Sequence, residues 1–306
     1  MYTQIDHNKS NTRILMYLFV FFIAIIGYVF GYVWAGSGEG AIGLMGIFGI
    51  VAIIYAIISY YSAGKLTMAM TGAKEIKKSD NPTLFRTVEN LSIAAGVPTP
   101  RIYIINDTAL NAFATGRGPE NAMVAITRGL LDQLDKPELE GVMAHELSHV
   151  RNYDIRLQSV TVALVGLIAL LSDIFLRSLR HGMLGGGKRR SNSKGGGYLI
   201  LIMLIIGIIL AILSPIIAKL IQLAISRQRE YLADASGALI TRYPEGLARA
   251  LEKIKTDKEP LEAANKATAH MYIENPLRNE KGNWLNKMFS THPDINDRID
   301  RLRSMT

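Results

Sequence analysis

Two histidines and a glutamate lie close together near the middle of the chain, at His145, Glu146 and His149. Apolar residues recur at helical spacing around them, and Asp135 with Glu138 three residues later is typical of a capped helix start. Residues four apart share one face of a helix, so both imidazoles can reach a single metal ion with the carboxylate beside them. This pattern predicts the helix of a zinc-dependent hydrolase. The alternative is a helix with two surface histidines that have no function.

A catalytic zinc site takes three protein ligands and leaves one position for water, so the two histidines need a partner. The chain has no cysteine, which leaves histidine and carboxylate side chains as candidates. Glu230 is the best carboxylate, on a predicted helix whose small residues allow another helix to pack closely. Asp234, one turn further on, could accept the free ring N–H of a ligating histidine. Without the histidines, the two acids would be read as an ordinary solvated pair.

Long apolar runs separate the polar parts of the chain. A polar tail, 1–13, precedes two runs of spanning length, and we expect 14–62 to form an N-terminal transmembrane hairpin. Two further apolar runs make 157–225 a predicted second hydrophobic hairpin, joined by a basic, glycine-rich loop at 177–197. With 49% hydrophobic residues in 306, the composition indicates a membrane protein.

The segments 63–156 and 226–306 are soluble in character and are the predicted halves of one catalytic domain, the second carrying the third ligand. Basic residues flank the outer ends of the first hairpin, whereas its central link has none, which predicts a cytoplasmic tail and a cytoplasmic catalytic domain. Glu230 can then meet His149 only if the second hairpin returns the chain to the same side. Because both ligands lie close to this hairpin in sequence, the ion should lie within about two helix turns of the bilayer.

The charge of the chain is unevenly distributed. The formal net charge is +8, and the loop 177–197 alone carries six basic residues and no acidic one. The soluble segments are nearly balanced, so the sequence gives little support to nucleic-acid binding. A spanning second hairpin would place this loop outside, against the positive-inside tendency. We still favour a spanning hairpin, because both runs are long enough, and the loop is most simply a flexible, solvated connector. The alternative is a pair that is re-entrant or lies on the cytoplasmic face, whose basic loop could touch anionic lipid.

Short apolar or alternating runs at 101–105, 110–115 and 122–127 predict three strands before the histidine helix. The expected fold class is therefore mainly α with a small antiparallel β-sheet, in a multi-pass membrane protein. A non-catalytic membrane scaffold or chaperone is one alternative function. A small transporter is another, because Asp173, Pro215 and Lys219 lie within apolar runs.

Four stretches of the sequence together resemble a known family, and they are His145–Asp154, Glu230–Asp234, Asn111–Gly116 and Thr291–Pro293. With them the chain is similar, over nearly its whole length, to the HtpX family of membrane zinc metalloproteases, which are relatives of the CAAX prenyl protease. The resemblance implies a gluzincin (zincin-like) domain with one zinc ion per subunit. It also implies stress-related degradation of misfolded or damaged membrane proteins, or of unfolded polypeptides, at the plasma membrane.

The resemblance assigns roles to individual residues. It implies that His145, His149 and Glu230 hold the zinc. Glu146 is then the general base that accepts a proton from water and passes it to the leaving amine. His292 resembles a histidine that hydrogen-bonds the developing oxyanion, although His292 and the proline after it could simply start the last helix.

The resemblance also implies that one strand lines the substrate cleft, through Asn111, Ala112, Phe113 and Ala114. An edge strand can pair with an extended peptide through backbone hydrogen bonds, which tolerates many substrate sequences. An ordinary sheet strand is the alternative. Arg298, near the end of the chain, is a further candidate to assist at the site.

Overall fold

The fold is described from a computed structural model of the chain, which covers residues 2–168, 226–257, 259, 261, 268, 271–273 and 293–305. The predicted loop 177–197, most of the second hydrophobic hairpin and His292 lie outside the described residues. So do Asp173, Pro215 and Lys219.

Two long helices open the chain, α1 (Tyr2–Ala35) and α2 (Gly38–Met70). Both are long and apolar enough to cross a membrane, and many of their large hydrophobic side chains are exposed. They contain the two apolar runs of the predicted first hairpin, and the polar tail is already helical. The boundaries proposed for the domains remain predictions.

A four-stranded sheet follows, and its elements are β1 (Lys74–Glu75), α3 (Pro82–Ala95), β2 (Arg101–Ile105), β3 (Ala112–Thr115) and β4 (Met123–Thr127). The strand order is β1-β2-β4-β3, with β2 and β4 parallel and the two outer pairs antiparallel. The expectation of a purely antiparallel sheet is therefore wrong for the central pair. Residues 106–111 carry the chain past the position of β4, so the β3–β4 return places β4 beside β2 in the same direction.

Helices form the rest of the described fold, and they are α4 (Arg128–Gln133), α5 (Lys136–Arg151), α6 (154–168, to the last described residue before the gap), α7 (Arg227–Thr241), α8 (Pro244–Thr256) and α9 (Ile295–Arg303). The fold class, mainly helical with a small sheet, agrees with the prediction. Helix α5 lies at the centre of the main core and packs against α3, α7, α8 and β3.

Two glycines let the neighbouring helices approach α5 closely. A Cβ atom added to Gly141 would lie 2.6 Å from the backbone nitrogen of Leu247 in α8. A Cβ atom added to Gly237 of α7 would lie 3.1 Å from the backbone nitrogen of His145. The predicted close packing of α7 against the histidine helix is therefore present, and it brings Glu230 within reach of the histidines.

The chain divides into two compact units. The first contains Met1–Arg13, Tyr60–Ala163 and Ile221–Thr306 and includes every residue of the centre described below. The second contains Ile14–Ser59 and Leu164–Leu220, and in its described part α1 and α2 pack closely at glycines of α1.

Candidate metal centre

Helix α5 carries His145, Glu146 and His149 into the protein interior. The helix starts with a complete capping box, in which Asp135 and Glu138 exchange side-chain to backbone hydrogen bonds, as the sequence predicts. His145 is 1% exposed, Glu146 1% and His149 5%. The two histidines are therefore not surface residues, and their burial needs a compensating partner.

Glu230 of α7 supplies a carboxylate between the two imidazoles. The Nε2 atoms of His145 and His149 lie 3.2 Å apart, and each lies 3.7 Å from an oxygen of Glu230. A tetrahedral zinc ion with bonds of about 2.0–2.1 Å separates its ligand atoms by about 3.3–3.4 Å. The three side chains therefore have the spacing that a single metal ion requires.

Two further carboxylates orient the imidazole rings. Asp154 Oδ2 lies 2.9 Å from Nδ1 of His149 and pairs with it. Asp234 Oδ1 lies 2.9 Å from Nδ1 of His145, although off the ideal hydrogen-bond axis. Each carboxylate favours the proton on Nδ1, so each neutral ring directs the lone pair of Nε2 at the other ring and at Glu230. Such facing lone pairs repel one another unless a cation lies among them, so the donor set fits a metal ion.

The ionisation of His149 reflects the same surplus of negative charge. Burial alone would lower the pKa of His149, but the hydrogen bond to Asp154 and the charges of Glu230, Asp154 and Glu146 outweigh it. Together they raise the pKa of His149 to about 9. The centre therefore attracts positive charge strongly.

Glu146 has the environment of a proton acceptor. Its Oε1 atom is buried and has no hydrogen-bond partner among the described residues, while the backbone N–H of Ala114 serves the carboxylate as a donor. Burial raises the pKa of Glu146 above its usual value, against the opposing charges of the two imidazoles. A carboxylate with a raised pKa and a free oxygen beside a metal site can take a proton from water.

Arg298 of α9 supports Asp234 on the far side of His145. Its Nε and Nη2 atoms donate to the two oxygens of Asp234 at 2.8 and 2.7 Å, and its Nη1 donates to the carbonyl of Ile273 at 3.0 Å. Burial would raise the pKa of Asp234, but Arg298 and His145 hold it well below its usual range. Asp234 thus stays charged and keeps His145 oriented.

The contact of Asp154 with the ring of His149 was not predicted from the sequence. Helix α5 ends at Arg151, and Tyr153 adopts a left-handed conformation with φ of 61°, which turns the chain so that Asp154 faces His149. Such a conformation at a residue other than glycine costs about 1–3 kcal/mol. The sequence signals the end of the helix only weakly, and nothing in it indicates the reversal. Asn8 and Arg229 also contact Asp154.

Strand β3 passes beside Glu146 at the edge of the sheet. The backbone of Asn111, directly before β3, pairs with Thr127, so alternate residues face β4 and the backbone groups of Ala112 and Ala114 face away from it. Ala112 O already accepts a hydrogen bond from Ile273 N at 3.1 Å. Phe113 is fully buried, and its backbone faces Ala125 of β4. A cleft-lining role for 111–114 remains a prediction, as does the role of His292.

The chain is similar to proteins of a known family. Residues 78–306 match the family described as Peptidase family M48. The chain belongs to this family. It is 46% identical to a Protease HtpX homolog of Tropheryma whipplei (strain Twist) over 305 residues, which cover 100% of this chain and 98% of that protein. It is 44% identical to a Protease HtpX homolog of Listeria monocytogenes serotype 4a (strain HCC23) over 311 residues, with 100% of both chains covered.

A third relative is the Protease HtpX homolog of Dictyoglomus turgidum (strain DSM 6724 / Z-1310). It is 44% identical over 304 residues, which cover 99% of this chain and 94% of that protein. Among solved structures, the crystal structure of S. mikatae Ste24p is similar with a TM-score of 0.48 and 17% identity, covering 90% of this chain and 61% of that chain. M48 membership confirms the predicted family and enzyme class. The protein is a membrane metalloprotease that acts on polypeptides and uses a metal ion.

Proposed function

We propose that this M48 protein is a zinc-dependent endopeptidase that degrades misfolded or damaged membrane proteins at the cytoplasmic face of the plasma membrane. One zinc ion per subunit would be held by His145, His149 and Glu230. Two imidazoles and one carboxylate, with no cysteine in the chain, are a ligand set typical of catalytic zinc. Their mutual distances of 3.2 and 3.7 Å support one ion between them.

The observation that carries the proposal is the free Oε1 atom of Glu146. A purely structural metal site needs no base beside it, and a buried carboxylate oxygen without a donor costs free energy. A water molecule between Glu146 and the ion would supply that donor and would be the nucleophile. When bound, zinc lowers the pKa of such a water towards neutrality and polarises the scissile carbonyl.

The side chains then perform the proton transfers. Oε1 of Glu146 accepts a proton from the attacking water, and the same carboxyl group delivers it to the leaving amine. The N–H of Ala114 orients this carboxylate. Asp234 and Asp154 keep the Nδ1 atoms of the two imidazoles protonated, so their Nε2 atoms remain ligands throughout. Hydrolysis by this route forms no covalent intermediate with the protein.

The substrate is proposed to bind as an extended strand along β3. A peptide would pair with the outward side of β3 through backbone hydrogen bonds, which would tolerate many substrate sequences. Ala112 O accepts from Ile273 N, and Ala112 N donates to the side chain of Asn111. Because the N–H of Ala114 serves Glu146, the carbonyl of Ala114 is the outward backbone group left for the peptide. His292, by resemblance, would hydrogen-bond the oxyanion.

The proposed location is supported by the hydrophobic helices and by the charges that flank them. Helices α1 and α2 are long enough to span the bilayer, and basic residues flank their outer ends, which favours a cytoplasmic catalytic domain. Polypeptides within or beside the membrane are then the nearest substrates. The second hydrophobic hairpin, 157–225, would return the chain to the cytoplasmic side before Glu230.

The test compares full-length wild type with Glu146→Gln in detergent. We expect the variant to bind one zinc ion per chain, as wild type does, and to lose cleavage of an unfolded membrane protein. His149→Ala should lose both the metal and the activity. Glu140→Gln makes the same change on α5 away from the centre and should keep both. Equal cleavage by wild type and Glu146→Gln would refute the general-base assignment.

A further inference from the structure

The polar segment that precedes the apolar part of α1 reaches into the centre through Asn8. This side chain is fully buried although it lies only a few residues before the apolar stretch of the helix. Its Nδ2 atom donates to the carbonyl of Asn152 at 2.9 Å and to Asp154 Oδ1 at 2.6 Å. Its Oδ1 atom accepts from Nη1 of Arg229 at 2.9 Å. Both donor hydrogens and the acceptor oxygen of the amide are therefore used.

These contacts span the left-handed turn at Tyr153. Asn152 and Asp154 are the residues on either side of it, and one amide group holds both. A strained backbone conformation persists only where surrounding contacts define it. Asn8 therefore fixes the turn that aims Asp154 at Nδ1 of His149.

The other side of Asn8 contacts the helix of the third ligand. Arg229 directly precedes Glu230 on α7, and its Nε lies 3.8 Å from Asp154 Oδ1. The amide of Asn8 thus lies between a buried guanidinium and a buried carboxylate and is hydrogen-bonded to both. It joins the support of His149 to the helix that carries Glu230.

We infer that Asn8 is a positioning residue for the metal centre, acting on His149 through Asp154. The inference rests on the proposed metal site. It assigns to the polar first turns of α1, before its apolar part, a role in metal binding. The amide suits this position because it presents donors to Asp154 and an acceptor to Arg229 at once, which neither a carboxylate nor an alkyl side chain can do.

Zinc affinity of the full-length protein tests this inference. We expect Asn8→Ala to weaken zinc binding, measured by competition with a chromogenic chelator, by about 10–100-fold, the range typical for groups that orient a metal ligand. The effect should largely disappear in an Asp154→Asn background, because Asn8 acts through that carboxylate. Asn11→Ala is the matched control, since Asn11 lies one turn further along α1 and its side chain makes no hydrogen bond among the described residues.

Asn8→Asp is a second variant that tests the inference if Asn8→Ala does not fold. It keeps the volume and an oxygen towards Arg229 but removes the donors to Asp154 and Asn152, so it should also weaken zinc binding. Unchanged zinc affinity in a folded Asn8→Ala or Asn8→Asp protein overturns the inference, as does an equal loss with and without Asp154. If wild type binds no zinc, or if His145→Ala binds it as tightly as wild type does, the proposed function fails instead. The two failures are thus distinguishable.

Discussion

Replacement of Arg298 by methionine should be among the most destabilising single changes in the soluble part of this protein. The guanidinium is 1% exposed and makes three hydrogen bonds, two of them to Asp234 at 2.8 and 2.7 Å. Methionine fills much of the same volume but leaves Asp234 buried with only His145 beside it. Removing one partner of a buried ion pair costs about 3–5 kcal/mol, because the remaining charge stays unpaired.

Thermal unfolding followed by circular dichroism measures this cost. One kcal/mol corresponds to about 2–4 °C for a domain of 150–250 residues, so Arg298→Met should lower the Tm by about 6–20 °C. Unfolding in the presence of a chelator removes any contribution from lost metal. Arg298→Lys should have a Tm between those of wild type and Arg298→Met, since an ammonium group cannot make the bidentate contact.

Arg301→Met on the same helix is the control for Arg298→Met. Arg301 pairs with Asp297 at 3.1 Å, but both side chains are about half exposed, and such surface pairs contribute about 0–1 kcal/mol. If Arg298→Met and Arg301→Met shifted the Tm equally, the buried pair would not hold α9 and Asp234 in place. The account of how His145 is oriented would then be wrong.

Two further predictions concern His149 and Gly141. The pKa of His149 is raised to about 9 in the metal-free protein, so this imidazole is protonated at pH 7 and zinc must displace its proton. Calorimetry in buffers of different ionisation enthalpy should show about one proton released per ion at pH 7–8 and fewer above pH 9; no release at pH 7 would contradict the raised pKa. Gly141→Ala places a Cβ atom 2.6 Å from the backbone of Leu247, so it should lower stability by about 1–3 kcal/mol despite the better helix propensity of alanine. Gly43→Ala, whose added Cβ meets nothing within 4 Å, should not lower the Tm in the same thermal scan, because only the better helix propensity of alanine acts there.

Local rules predicted the parts of the centre that lie within single helices. The two histidines and Glu146 are recognised from spacing alone, and the capping box marks where their helix begins. Glu230 and Asp234 were identified because a metal site needs a third ligand and a partner for a ring N–H, and α7 presents both from adjacent turns. In each case the informative residues of one helix are at most four positions apart, so helix geometry decides which of them share a face. That the two helices meet depends on their close packing at Gly237.

Long-range contacts were not predictable in the same way. The parallel pairing of β2 with β4 depends on the path of the chain between them and not on the pattern within either strand. Asp154 faces His149 only because Tyr153 adopts a conformation that its residue type disfavours. Asn8 lies 144 positions before Asn152, and a polar side chain before an apolar helix is ordinarily read as solvated. The sequence thus indicates the ligands more clearly than the residues that orient them.

The net charge of the centre explains why two buried arginines lie beside it. Four buried carboxylates and two buried guanidiniums surround the imidazoles, and they are Glu146, Glu230, Asp154, Asp234, Arg229 and Arg298. With both imidazoles neutral, these side chains lack two positive charges, which is the charge of one divalent ion. The metal-free protein reduces the same deficit with a proton on His149, whose pKa is raised to about 9. The pKa of Glu146 is raised as well. Without Arg229 and Arg298 the deficit would be four, which one ion could not neutralise, and each uncompensated buried charge costs several kcal/mol. The two arginines therefore match the charge of the centre to that of one divalent ion, and the four carboxylates and two imidazoles alone would not.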